Sequence, residues 1–497
     1  MKPSVNRKPT SPSRMARWAH AAAILMVVSL TCLATPARAD DPAPRPPMNA
    51  AEIDVALKRL SVVGTALYVA AHPDDENTAV LTWLENVAGV RAAYLSMTRG
   101  DGGQNLIGNE KGDLLGLVRT QELLAARRID GAEQFFTRAL DFGFSKNPDE
   151  TLAFWGRDSV LADVVRTIRY VKPDIIINRF PTTGEGGHGH HTASAILSLA
   201  AFEAAGDPGR YPEQVARYGT WKPKRAFLNW FTGARAPDAE VAKTLVTVDV
   251  GDYAPLLGKS SNELAADSRS MHKSQGFGSA ERRGHQVNYF KVVAGDSLTK
   301  GLFDGIDLTW KRVPGGEKLG TEFEAIRTAY DPRNPSASLP ALLRADAALA
   351  TLRQGKGAAA WSDLLERKAA DLHEVIRSCA GLWIEAIATD ASFAGGDSLK
   401  VNFMAVNRSP VPMTVTRAQL LVGPERAVLA TVAVDKAMDD NTPVTAVLNG
   451  VVPSSADWTW TQPWWLREPH GKGALAVPDT RLFDVNDTPP LAVAGMD

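Results

Sequence analysis

A chain of 497 residues, 44% hydrophobic and 22% charged, carries enough apolar content for two or three globular domains with substantial cores. Its formal net charge of −1 provides no global basic field, which argues against charge-driven binding to nucleic acid or to an anionic membrane. Lys2 to Arg17 are basic, Ala21 to Ala34 form an apolar run, and Ala37-Arg38-Ala39 suits cleavage before Asp40. This predicts a signal peptide over residues 1–39 and an exported protein, periplasmic or extracellular. The apolar run is shorter than the ~20 residues that span a bilayer, so no integral membrane segment is expected after cleavage. Cys32 falls inside that segment and Ser29-Leu30-Thr31 makes a poor lipoprotein site, so the mature chain would keep only Cys379 and form no internal disulfide. Nothing in the composition sets an oligomeric state.

Residues 40–50 are rich in proline and charge and are expected to be a linker. A first domain is expected over 51–310. Leu67 to Asn77 reads LYVAAHPDDEN: an apolar run suited to a buried strand stops at His72, and Pro73 forbids a continuing ladder. Asp74, Asp75 and Glu76 then precede an apolar-periodic segment, so the pattern is strand, acidic turn, helix. Alone, the two aspartates could simply cap that helix. Val90 to Met97 is a second strand, ending in the polar, glycine-rich turn that starts at Thr98. Leu114 to Ile129 is helical, and Arg119 and Glu122 on it read equally well as a surface ion pair. Ser159 to Val171 is another helix, and Asp174 to Asn178 another strand.

A second polar cluster follows at residues 184–191, GEGGHGHH, between that strand and a helical stretch from Thr192 to Ala205. Gly184, Gly186 and Gly189 satisfy a dinucleotide-type G-x-G-x-x-G, but five residues separate the strand from the first glycine, and Glu203 falls inside a helical pattern. Strands alternating with helices imply right-handed crossovers and an α/β, Rossmann-like three-layer parallel sheet. Loops starting at His72, Thr98 and Arg179 would then share its carboxyl edge, where a histidine-carboxylate set could bind a divalent metal.

At these two clusters the sequence resembles the PIG-L or LmbE-like de-N-acetylases, zinc enzymes that remove acetyl groups from N-acetylated sugars. The family's AHPDDE motif stands here as Ala71 to Glu76, and its His-x-x-His as His188-Gly189-His190-His191, where the inner pair is usually Pro-Asp. The resemblance covers roughly residues 60–290. It implies Zn2+ or another divalent metal on His72, Asp75 and His191, Asp74 as general base, and protonated His188 as electrophilic partner of the carbonyl. Arg119 and Glu122 match the family's R-x-x-E, in which the arginine approaches substrate. His190 could replace His191 as ligand, orient His188, or face solvent; His191 is favoured because it holds the family's ligand position.

Arg225 to Phe231 and Leu245 to Val250 are further strands, and Ser261 to His272 a helix; Asp252 to Gly278 also resembles the larger secreted members of the family. His272 and His285 carry no spacing argument. Residues 311–381 are expected to be a helical connector, interrupted around Asp331 to Pro340. From 382 to 497, β-branched segments such as Ser398 to Asn407, Met413 to Val422 and Ala427 to Val434 predict a β-sandwich-like accessory domain, expected to be incomplete at Asp497. Trp458, Trp460, Trp464 and Trp465 crowd one stretch, where core packing is the reading preferred over sugar stacking. The function expected is zinc-dependent deacetylation of an N-acetylated glycan or glycoconjugate, with Thr98 to Gly112 and Arg179 to Gly187 as substrate-choosing loops. The alternatives are a different zinc amidohydrolase or peptidase, for which no H-E-x-x-H occurs, and a non-catalytic sugar-binding protein.

Overall fold

A computed structural model describes residues 46–497 except 231–236, 297–299, 356, 424, 455–460, 480–481, 484 and 488–489. The segment expected to be a signal peptide, with Cys32, most of the expected linker, and Trp458 and Trp460 lie outside the described residues. Among the described residues no helix is long and apolar enough to cross a membrane.

The sheet-bearing half is built on β1 (Thr65–Ala70), β2 (Arg91–Ser96), β3 (Glu133–Phe136), β4 (Ile175–Asn178) and β5 (Arg225–Trp230). β6 (Val246–Asp249) follows, then a two-residue pair, β7 (Tyr253–Ala254) and β8 (Lys259–Ser260), and finally β9 (Val287–Gly295). The seven-stranded order is β3-β2-β1-β4-β5-β9-β6. β1 to β5 are parallel, as the sequence predicts; β9 runs antiparallel to both β5 and β6, so the sheet is mixed at one edge. β3 and β9 are not marked by the sequence pattern.

All six residues of β1 are buried because helices cover both faces, which explains an unbroken apolar run in place of alternation. Ala66, Tyr68 and Ala70 face one core with Val80, Leu81 and Leu123. Leu67 and Val69 face the other with Val164, Ile168, Leu197 and Ala201. The chain order reverses between β1 and β4, and ligands of open α/β sheets bind outside the carboxyl ends at such a switch. Those two strands end in the two histidine clusters.

The first helix, Ala50–Ser61, begins at what the sequence marks as linker, with Asn49 and Glu52 forming a capping box. It packs with helices Glu317–Ala329 and Ser362–Cys379, on which helix Leu339–Arg353 packs in turn. The buried Lys368 ammonium ties these helices by donating to the carbonyls of Arg59 and Val62. The interruption predicted in this layer falls at Asp331–Ser338, where Pro335 starts a single 3-10 turn. Beyond it, two antiparallel sheets, β10-β11-β14 and β13-β12-β15, stack as a sandwich. Their strands are β10 (Leu382–Ala388), β11 (Ser398–Asn407), β12 (Thr414–Val422), β13 (Ala427–Ala437), β14 (Val444–Val451) and β15 (Ala492–Met496). Phe403, Leu420 and Leu448 of the sandwich share one core with Leu372 and Ile376 of the helices and with Leu57 of the first helix.

Between β14 and β15 the chain runs back across the sheet-bearing half. Leu140 N–H donates to Gly473 O at 3.0 Å, Leu475 N–H to Arg138 O at 2.8 Å, and Gln121 Nε2 to Asp487 Oδ2 at 2.8 Å. Trp464 and Trp465 therefore pack, as preferred, but against Leu140, Leu475 and Phe483 and not inside the sandwich. The Arg99 guanidinium lies 3.4 Å from the centre of the Trp465 ring and 4.1 Å from that of Phe136. Trp465 is 1% exposed. Trp465→Ala should thus cost about 3–5 kcal/mol in denaturant unfolding; a loss below about 1 kcal/mol would show that this return segment is not anchored there.

Candidate metal and catalytic centre

The loop after β1 is held from beneath. Tyr94 Oη donates to His72 O at 2.5 Å, and Thr98 Oγ1 and the Thr98 N–H both donate to Ala71 O. Asp75 turns back on the same loop, its Oδ2 accepting from the His72 N–H at 2.8 Å and lying 3.1 Å from His72 Nδ1. Its other oxygen, Oδ1, lies 3.5 Å from His191 Nε2.

The loop after β4 supplies the imidazoles. The helix after it begins at Gly189, not near Thr192, with His188 as N-cap, so His190 and His191 sit in its first turn. Gly189 is needed because a Cβ there would lie 2.3 Å from Ser145 Oγ and 2.4 Å from Asn147 O. His188 Nδ1 accepts the His190 backbone N–H at 3.0 Å, so a neutral ring carries its proton on Nε2. His191 Nδ1 meets Gly186 O at 2.9 Å; a carbonyl only accepts, so Nδ1 holds the proton and Nε2 is left with a lone pair facing Asp75. Phe180 stacks on the His191 ring, with centroids 3.8 Å apart.

His190 is completely buried, which excludes the solvent-facing reading. Its Nδ1 lies 3.0 Å from His72 Nε2, and its ring contacts Phe142 and Trp155. Asp141, which the sequence does not single out, is the carboxylate on that side, 3.7 Å from His190 Nδ1 and 3.9 Å from His72 Nε2. Trp155 Nε1 donates to Leu140 O, so the returning segment 473–475 buttresses this floor through Leu140.

The electrostatics separate the two aspartates. Burial works to raise Asp75, but His191 and His72 outweigh it and hold the carboxyl well below the usual range. Asp74 is pushed up to about 6 by burial, against the opposing pull of Arg119. Burial and the neighbouring His72 and His191 lower His188 to about 4, so it is neutral at neutral pH and not the imidazolium expected. Burial and the same neighbours take His190 down to about 2. Burial opposes ionisation of Glu76, yet His272 and Arg127 bring it to about 2.

Arg119 is 3% exposed, which excludes the surface-ion-pair reading. It donates to Pro73 O at 2.6 Å and Gly100 O at 3.1 Å, and lies 3.3 Å from Asp74 Oδ1. It is an anchor beneath the loop and not a surface ion pair. Glu122 instead accepts from the Ser274 N–H and hydroxyl, both at 2.6 Å. The start of the Thr98 loop is buried with Arg99, leaving residues 104–111 to face outward. His272, which has no sequence signal, is fully buried against Glu76, while His285 is a surface partner of Asp249.

Two overlapping donor sets converge, His72-Asp75-His191 and His72-His188-His190, with the ligand atoms of each set within 4.8 Å of one another. The first set fits a divalent ion better: it contains an ionised carboxylate and an imidazole already held in the ligating tautomer.

Residues 67–202 match the family described as PIG-L, GlcNAc-PI de-N-acetylase. Among curated proteins, the mycothiol S-conjugate amidase of Streptomyces coelicolor is 30% identical over 175 residues, covering 32% of this chain and 59% of the relative. The 1D-myo-inositol 2-acetamido-2-deoxy-alpha-D-glucopyranoside deacetylase of Geodermatophilus obscurus is 30% identical over 178 residues, with the same two coverages. The chain thus spans about three fifths of the length of these relatives. Among solved structures, the N,N'-diacetylchitobiose deacetylase of Pyrococcus horikoshii is 17% identical over 45% of this chain and 75% of that one, at a TM-score of 0.31, too low to carry weight. The family match runs from β1 to the helix that follows the second histidine cluster, and so contains both motifs and the strand-order switch; residues 67–202 are thus similar to the PIG-L, LmbE-like family domain.

Proposed function

We propose that this protein is a metal-dependent N-deacetylase that hydrolyses the acetamide of an N-acetylated sugar or glycoconjugate. The observation that carries the reading is the meeting of His72, Asp75 and His191 at the switch point, with the Asp74 carboxyl, adjacent in sequence to Asp75, on the same loop. These three residues would hold zinc or another divalent ion, which supplies Lewis acidity toward the acetamide carbonyl and toward water. Asp74 takes the proton of the attacking water and returns it to the departing amine, a double role suited to a carboxyl raised to about 6. His188 presents Nε2–H to the carbonyl oxygen as negative charge develops there, acting as a neutral donor. His190 and Asp141 keep His72 oriented from below.

The similarity to relatives named as acetamido-glucopyranoside deacetylases supports a GlcNAc-type substrate. The basic and then apolar N-terminus supports export, which would bring the enzyme to cell-wall glycans, glycolipids and environmental amino sugars. The test is amine release from N-acetylglucosamine derivatives beside acetylated peptides, using zinc-loaded protein. Release from the sugars alone is expected. Release from peptides alone would favour the peptidase alternative, and release from neither a binding protein.

A further inference from the structure

Asp74 has a φ of 95°, a region that residues with a Cβ avoid and occupy only where their surroundings over-determine the backbone. Its peptide is pinned on every side. The Asp74 N–H donates to Glu76 Oε2 at 2.9 Å, and Asp74 O accepts from Arg269 Nη1 at 2.9 Å. Glu76 is buried and is held through Oε1 by His272 Nε2 at 2.9 Å and Arg127 Nη2 at 3.2 Å. Arg269 and His272 reach the loop from about 195 positions along the chain, outside the matched residues 67–202.

We propose that Arg269 and His272 are positioning residues that hold the Asp74 peptide at positive φ and thereby set the direction of its carboxyl. This rests on the reading of Asp74 as the proton-transferring group. The supporting platform is rigid: Ser260 and Glu263 cap the helix Ser261–Arg269 with a capping box, and Ser268 Oγ donates to Asp130 Oδ2 at 2.7 Å. The Arg269 guanidinium also lies 4.2 Å from the centre of the Phe277 ring, which fixes its direction. One donor acts on the carbonyl of the strained residue, and the other acts through Glu76 on its N–H. Losing either releases the peptide toward ordinary φ and swings the carboxyl away, without removing any metal ligand.

The test uses the zinc-loaded full chain. Arg269→Ala should lower kcat by roughly 10- to 100-fold at unchanged KM and metal content, because misplacing a reacting group by about an ångström costs that much. Arg269→Lys, which keeps a donor, should recover most of the loss, as His272→Gln should relative to His272→Leu. A crystal structure of Arg269→Ala should show Asp74 at negative φ. Wild-type kcat in Arg269→Ala and His272→Leu, loss of kcat together with metal and without rescue by lysine, or retention of positive φ would each overturn the proposal. If the wild-type chain hydrolyses no acetamide, the functional reading fails by itself, and the φ of Asp74 in the variant still decides the positioning role.

Discussion

Asp74→Asn is expected to lower kcat by roughly 10²–10⁴-fold while the protein keeps its fold and its metal. The substitution isolates the proton-transfer role because asparagine matches aspartate in shape and, like it, tolerates a positive φ better than other residues with a Cβ. The amide oxygen can still face Arg119, 3.3 Å from Oδ1 in the native chain. The backbone hydrogen bonds to Glu76 and Arg269 involve no atom that changes. What is lost is the negative charge facing Arg119 and the ability to take up and return a proton. Steady-state rates read beside metal content and circular dichroism check this; a variant that turns over at the wild-type rate removes Asp74 from the mechanism.

His191→Ala is expected to abolish metal retention and to reduce activity by more than about 10³-fold, since it leaves the ion two protein donors in place of three. His190→Gln should instead retain metal, with affinity weakened by about 10- to 100-fold, as befits a residue that orients another ligand. The distinction comes from the ring atoms. His191 has Nδ1 occupied by Gly186 O and Nε2 free toward Asp75, whereas His190 faces His72 with Nδ1. Its Nε2 is buried without a partner among the described residues. Metal analysis after dialysis decides the matter. Metal lost from His190→Gln and kept in His191→Ala would mean that the three-histidine set is the binding one.

How much of this could be read from sequence depended on whether the signal was local. β1 and the AHPDDE turn were legible because a strand buried on both faces leaves an unbroken apolar run that stops where chemistry begins. β11 was legible, since its first six residues alternate between exposed and buried before the strand end becomes buried throughout. β3 was not, because four residues are too few to show a period, nor was β9, whose exposure is irregular. Around the site, the expected ligand set came from the resemblance of the two motifs to the PIG-L family, but the groups that orient those residues left no such mark. Asp141, Arg269 and His272 each reach the centre from a distant segment through contacts no periodicity encodes. Arg119 was visible as a motif residue, but its burial under Pro73 and Gly100 was not. The tryptophans show the same limit: their composition pointed to a packed core, but only the tertiary path places Trp465 on Arg99.

The measurement closest to the central claim is titration of zinc into metal-stripped full-length protein, with acetate release from an N-acetylglucosamine conjugate followed at each addition. The account predicts no release without metal, a rise that saturates at one ion per chain, and neither binding nor release in the Asp75→Ala variant. Full activity in metal-stripped protein, or stoichiometric zinc binding at His72, Asp75 and His191 with no acetate released from any acetylated amino sugar, would contradict it.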